Sequence, residues 1–175
     1  MLFTPLPIAG AFLVETEPHA DSRGVFARTF CAREFAEHGL ESRFVQCSVS
    51  HNPRRGTLRG MHYQEAPHAE AKLVRCTAGA IYDVILDLRR DDGGYGKWTS
   101  VVLNAENRSG LYIPGGVAHG FQSLAEDTEV FYQISEFHQA GAGRGVRWND
   151  PKFGIEWPVP RPMLSDRDAS YPDLA

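Results

Sequence analysis

The chain has 175 residues, a formal net charge of -4 and 42% hydrophobic residues. That length suits one domain with a sizeable buried core, and so mild a charge excludes the strongly basic balance of a nucleic-acid binder and the acidic block of a solvating tail. No apolar run approaches membrane-spanning length and the N-terminal MLFTPLPIAGAF has no basic region ahead of its apolar residues, so a soluble protein with no membrane contact is expected.

In chain order, β-branched and aromatic residues recur in short segments separated by Gly, Pro, Asn or Asp. They are Ala11 to Glu15, Gly24 to Phe30, Phe44 to Ser50, Gly56 to Tyr63, Lys72 to Thr77, Ala80 to Leu88, Trp98 to Leu103, Ser109 to Ile113, Gly120 to Leu124 and Glu129 to Ser135. Short strands at this spacing predict an all-β sandwich or barrel. One stretch, Ala32 to His38, reads as a helix, with Gly39 to stop it. No internal repeat or low-complexity linker divides residues 1–175, and the Pro- and aromatic-rich residues 148–175 are expected to wrap over the barrel of a single domain. Cys31, Cys47 and Cys76 are odd in number and form no CxxC pair, which points to a reducing cytoplasm rather than to disulfides or a zinc knuckle.

Three stretches carry candidate chemistry. Asp21-Ser22-Arg23-Gly24 reads as a turn from which Arg23 reaches outward. Gly56 to Cys76, GTLRGMHYQEAPHAEAKLVRC, gathers Arg59, His62, His68, Lys72 and Arg75. Alternation along a strand puts His62, Gly60, Leu58 and Gly56 on one face and Arg59, Met61 and Tyr63 on the other, unless a bulge intervenes. Glycines on the His62 face predict an open floor, and Lys72, sharing a face with Val74 and Cys76, can point into the same space. A lone His or Lys on a strand is most often structural; it is a proton acceptor, a fixed cation and open floor together that point to a reaction site. The local excess of Arg54, Arg55, Arg59, Lys72 and Arg75 over Glu65 and Glu70 suits a small anionic ligand.

The third stretch, Ile113 to Phe121, uses Pro114, Gly115 and Gly116 to deliver His119 at the start of a strand. Pro114, Gly116 and His119 resemble the second metal motif of cupin barrels, whereas Gln64 stands where the first motif has its second His. Two imidazoles make a poor transition-metal site, leaving as an alternative a metal-dependent cupin enzyme with His68 or Glu65 as a further ligand. Tyr132 alternates with core-like residues, as a buried tyrosine or a proton donor would. Asp166 and Asp168 lie in a polar tail segment where nothing local distinguishes them.

The strings DSRGVFARTF, GTLRGMHYQ, PHAEAKLVR, DVILDLRRD, IPGGVAHGFQSL, RWNDPKFGIEWP and LSDRDA together resemble the dTDP-4-dehydrorhamnose 3,5-epimerase family from about Asp21 to Asp168. The resemblance implies a cupin jelly roll (a double-stranded β-helix) with one or two short helices, usually a homodimer that exchanges strands, and no metal or other cofactor. It implies His62 as catalytic base, held by Asp168, Tyr132 as proton donor and Lys72 beside the sugar. It implies nucleotide and diphosphate contacts at Arg23 (from the partner subunit), Gln46, Ser48, Arg59, His119 and Arg167. Arg28, Ser48 and Gly143 depart from the family's Glu, Asn and Glu, and Phe137 lies near a position where many members carry a second Tyr. The implied substrate is a nucleotide-diphosphate 4-keto-6-deoxyhexose, inverted at carbons 3 and 5. Inversion of one carbon is the near alternative, and a non-catalytic sugar-nucleotide binding module a distant one.

Overall fold

A computed structural model describes residues 1–90 and 93–174; Asp91, which closes the DVILDLRRD string, and Ala175 lie outside them. The N-terminal half contributes β1 (Leu2–Pro5), β2 (Phe12–Glu15), β3 (His19–Asp21), β4 (Gly24–Phe26), α1 (Ala32–Glu37), β5 (Gln46–Asn52), β6 (Leu58–Gln64), β7 (Lys72–Ala78) and β8 (Ala80–Asp87). There follow β9 (Trp98–Asn104), β10 (Gly110–Ile113), β11 (Val117–Ser123), β12 (Thr128–Ile134), β13 (Gly143–Gly145) and α2 (Asp166–Ala169). The strands make a six-stranded sheet, β1-β2-β10-β7-β12-β5, a five-stranded sheet, β13-β6-β11-β8-β9, and the β3-β4 hairpin. The all-β expectation holds. The segment read as Gly24 to Phe30 is strand only to Phe26, and β1, β3, β13 and α2 are elements the residue pattern did not announce.

Alternating side chains build three apolar layers. Between the sheets, Val74, Cys76, Leu111, Ile113 and Val130 of one face Ile81, Ile85, Leu103, Val117 and Phe121 of the other. Outside the six-stranded sheet, Val14, Leu73 and Tyr112 are covered by Phe35 of α1 with Phe3, Phe30 and Phe44. Outside the five-stranded sheet, Met61, Val84, Leu86 and Ala118 are covered by Val146, Phe153 and Ile155, with Trp157 and Leu174 alongside. Residues 148–174 therefore lie over that sheet and are tied down by backbone bonds from Met163 N to Gly56 O (2.9 Å) and Leu58 N to Met163 O (2.9 Å). Both faces of β11 are thus covered, and all seven of its residues are buried.

One irregularity shapes the site. His119 pairs with His62, but Phe121 pairs with Arg59, so β6 spends two residues, Gly60 and Met61, where β11 spends one. Such a bulge re-aims side chains. Met61 turns fully into the outer layer, and Arg59 and His62 line one cavity. The expected bare floor at Gly60 is corrected. A Cβ there would stand 2.5 Å from the Gly120 Cα, and the Gly60 φ is +142°, so this glycine permits a close backbone approach and offers no space to a ligand. Gly60→Ala is expected to cost about 3 kcal/mol or more through clash and strain, lowering Tm by roughly 6–12 °C. A thermal melt like that of the wild type would refute this reading of the crossing.

Candidate active site

Toward one end of the inter-sheet space the apolar layer gives way to polar side chains. A cavity of about 470 Å3 is lined there by β5 (Ser48, Val49, Ser50), β6 (Arg59, His62, Tyr63, Gln64), Lys72, His119, Tyr132 and, from the C-terminal tail, Ser165, Arg167 and Asp168. A pocket this size accommodates a small organic ligand. His62 comes from the five-stranded sheet, and Tyr132 and Lys72 from the six-stranded one. Facing sheets stand about 10 Å apart, so the imidazole and the phenol approach the cavity from opposite walls.

The His62 Nε2 lies 2.6 Å from the Asp168 Oδ1, leaving Nδ1 as the ring's other nitrogen. Asp168 is buried, its neighbour Asp166 exposed. This is what the tail segment alone does not reveal: α2 is capped by the Ser165 hydroxyl, which accepts from the Asp168 N (3.1 Å), and that turn carries Asp168 inward. Burial pushes the Asp168 carboxyl upward, but the His62 hydrogen bond and charge, with further bonds from the Gly60 N–H and Ser165, outweigh it and hold the group below the usual Asp range. An ionised carboxylate against Nε2 fixes the imidazole tautomer and stabilises the imidazolium formed when Nδ1 takes up a proton.

The Lys72 ammonium sits 2.9 Å from the Glu70 Oε1, both side chains about one-tenth exposed. The other Glu70 oxygen accepts from the Gln64 Nε2 at 2.9 Å. Gln64 also donates to the carbonyls of His68 and Phe137 and accepts from the Gln139 N. Gln64 is thus a buried clamp on the loop after β12, and Glu70 and Gln64 are positioning residues that sequence reasoning did not select. Glu70 precedes the first residue of β7 by two positions, in the connection from β6, where no strand periodicity marks it.

Tyr132 and His119 pack with their ring planes nearly perpendicular, 5.9 Å between centroids at 74°. Burial above all, and then the negative charge of Asp83, push its hydroxyl well above the ordinary tyrosine range, against a smaller pull from Arg59. The phenol therefore keeps its proton at working pH, as a donor must. His119 itself is buried with Nε2 2.5 Å from the Asp83 Oδ1, a second imidazole–carboxylate pair that no local pattern announced. Asp83 Oδ2 is buried without a hydrogen bond.

Of the expected contacts, Ser48, Arg59, His119 and Arg167 line the cavity together with the four candidate catalytic residues. Gln46 does not; its Oε1 accepts from the His138 N at 2.5 Å, and it is His138, unselected from the sequence, that reaches the cavity wall. Arg23 also stands outside, on the β3-β4 turn against Asp21. Arg144, likewise unselected, lines the cavity and pairs with Glu65.

The metal alternative is not assembled. Nε2 of His62 and Nε2 of His119 each face a carboxylate, Glu65 is engaged by Arg144, and His68 lies outside the cavity lining. Among the described residues no three His, Cys, Asp or Glu are grouped to hold an ion.

A double-stranded β-barrel with imidazole, carboxylate, phenol and ammonium converging between its sheets is a cupin-type acid–base isomerase. The chain belongs to the dTDP-4-dehydrorhamnose 3,5-epimerase family, whose model matches residues 5–175. A dTDP-4-dehydrorhamnose 3,5-epimerase of Sinorhizobium fredii is 40% identical, the match covering 99% of this chain and 90% of that one. The Bacillus anthracis dTDP-4-dehydrorhamnose 3,5-epimerase, solved with TDP and PPi bound, superposes with a TM-score of 0.96 at 39% identity, covering 99% of both chains. A 3'-monoepimerase from Streptomyces bikiniensis, solved in complex with dTDP-quinovose, superposes at 0.90 with 35% identity, covering 96% of this chain and 85% of that one.

Proposed function

We propose that the protein inverts carbons 3 and 5 of a dTDP-4-keto-6-deoxyhexose, converting dTDP-4-dehydro-6-deoxy-D-glucose to dTDP-4-dehydro-L-rhamnose. The observation that carries this is the placement of His62 and Tyr132 on facing sheets of one cavity. Hydrogens on carbons 3 and 5 lie next to the ketone, so their removal sends negative charge onto the ketone oxygen and needs no cofactor. The His62 imidazole takes the proton, and Asp168 stabilises the resulting imidazolium. Lys72 offers the enolate oxygen a positive charge already in place, a contribution typically on the order of 100-fold or more in rate. Tyr132 returns a proton from the opposite wall, which is what makes the exchange an inversion. Arg59, Arg167, His119 and Ser48 hold the diphosphate and nucleotide, and by doing so align the ring.

A single domain carries this site, with residues 148–175 as its C-terminal wrap, since Asp168 and Arg167 come from that tail. The working form is a homodimer in the cytoplasm. In support, Arg23, paired with Asp21 on the β3-β4 turn, is 88% exposed and outside its own cavity, as a residue that serves a partner's cavity would be, and Cys31, Cys47 and Cys76 are all unbridged. Incubation with dTDP-4-keto-6-deoxyglucose in heavy water tests the reaction. Deuterium is expected at both carbons; at one carbon only, the result matches the monoepimerase relative and limits the reaction to that centre, and none at either overturns the proposal.

A further inference from the structure

The most unusual packing near the cavity involves a residue that does not line it. Tyr171, just past α2, rests on the backbone of Gly145: a Cβ at Gly145 would lie 2.0 Å from the Tyr171 Cζ and 2.2 and 2.5 Å from its Cε atoms. Gly145 pairs with His62 across β13 and β6, so the ring seated there meets the His62 imidazole edge-on, centroids 6.1 Å apart at 67°. The same residue's hydroxyl accepts from the Arg167 Nε at 2.8 Å. Arg167 is otherwise an exposed side chain, reaching across the vacant side-chain position of Gly143, where a Cβ would lie 3.7 Å from its terminal nitrogen. The tail beyond Tyr171 is held in turn by the Leu174 N on the Asp150 Oδ2 (2.7 Å) and by Asp173 on Arg147 (3.1 Å).

We infer that Tyr171 is a positioning residue that sets the base and a substrate-binding cation together, using the bare backbone of Gly145 as its seat. The ring limits where the imidazole can turn, and the hydroxyl limits where the guanidinium can reach. Tyr171 does not itself line the cavity, so both contacts act through the neighbours that do. The roles given to His62 and Arg167 rest on the proposed epimerase reading; the seating of Tyr171 does not. Misplacing a catalytic group by about 1 Å can cost as much as 100-fold in rate, so a latch of this kind is a determinant of turnover.

Three variants separate its parts. Tyr171→Phe keeps the ring on Gly145 and under the Arg167 guanidinium but removes the hydrogen bond to its Nε, and is expected to raise KM by about 5-fold with a smaller change in kcat. Tyr171→Leu removes both contacts and is expected to lower kcat by about 10-fold as well. It should also broaden or split the His62 ring-proton resonances in the ligand-free protein, because the imidazole is no longer held in one orientation, a change that loss of the neighbouring ring current does not itself produce. Gly145→Ala evicts the ring and is expected to reproduce Tyr171→Leu, the double variant being no worse than either alone. His62 resonances that stay single and sharp in Tyr171→Leu, or additive losses in the double variant, would overturn the latch. The resonances decide it even if the wild-type protein exchanges no deuterium, an outcome that would strike the epimerase reading instead.

Discussion

His62→Ala is expected to lower deuterium incorporation from heavy water into the keto-sugar by about 100- to 10,000-fold, the range for losing a general base. Nucleoside diphosphate binding, followed by calorimetry, should survive. The separation is physical: His62 is bonded to Asp168, whereas Arg59 is fixed at Nε by the Asn52 Oδ1 (2.8 Å) and Arg167 at Nε by the Tyr171 hydroxyl (2.8 Å), bonds in which the imidazole takes no part. Removing the imidazole therefore deletes the proton acceptor without unfastening the cations. It also leaves Asp168 buried beside an empty space, still held by Gly60 and Ser165, so some loss of thermal stability is expected alongside. Exchange at the wild-type rate in this variant would remove His62 as the base, whatever the fold.

Tyr132→Phe is expected to do something different: exchange continues while inversion fails. The phenyl ring keeps the packing against His119, and what disappears is the hydroxyl whose proton burial retains. His62 can still remove a proton and give it back from its own wall, so deuterium enters with the starting configuration preserved. The inverted sugar should form at least about 100-fold more slowly, and proton spectra of the recovered sugar read label and configuration separately. Full-rate inversion by Tyr132→Phe would mean that another group, or water, supplies the second face. The two variants together thus ask whether the two walls have two jobs.

Much of this was legible in the chain. The short strands, the turn before His119, the basic excess around Arg59 and Lys72, and seven strings in family order point to the fold and to the four candidate catalytic residues. Local pattern succeeds there because strands alternate and turns have chemical requirements, both set within a few residues. The resemblance, rather than any spacing, singled out Asp168, since Asp166 is chemically identical and two positions away.

The rest depended on partners distant in sequence. Arg59 and His62 share a cavity because β11 accepts two residues of β6 opposite one of its own, a pairing fact invisible in either strand read alone. Asp168 reaches His62 across 106 positions, Asp83 reaches His119 across 36, and Tyr171 finds its seat on Gly145 only after the tail has crossed the five-stranded sheet. Periodicity decides which side of a strand a residue faces; only the packing of the two sheets and the tail decides what is waiting there, because burial and pairing are properties of two segments at once.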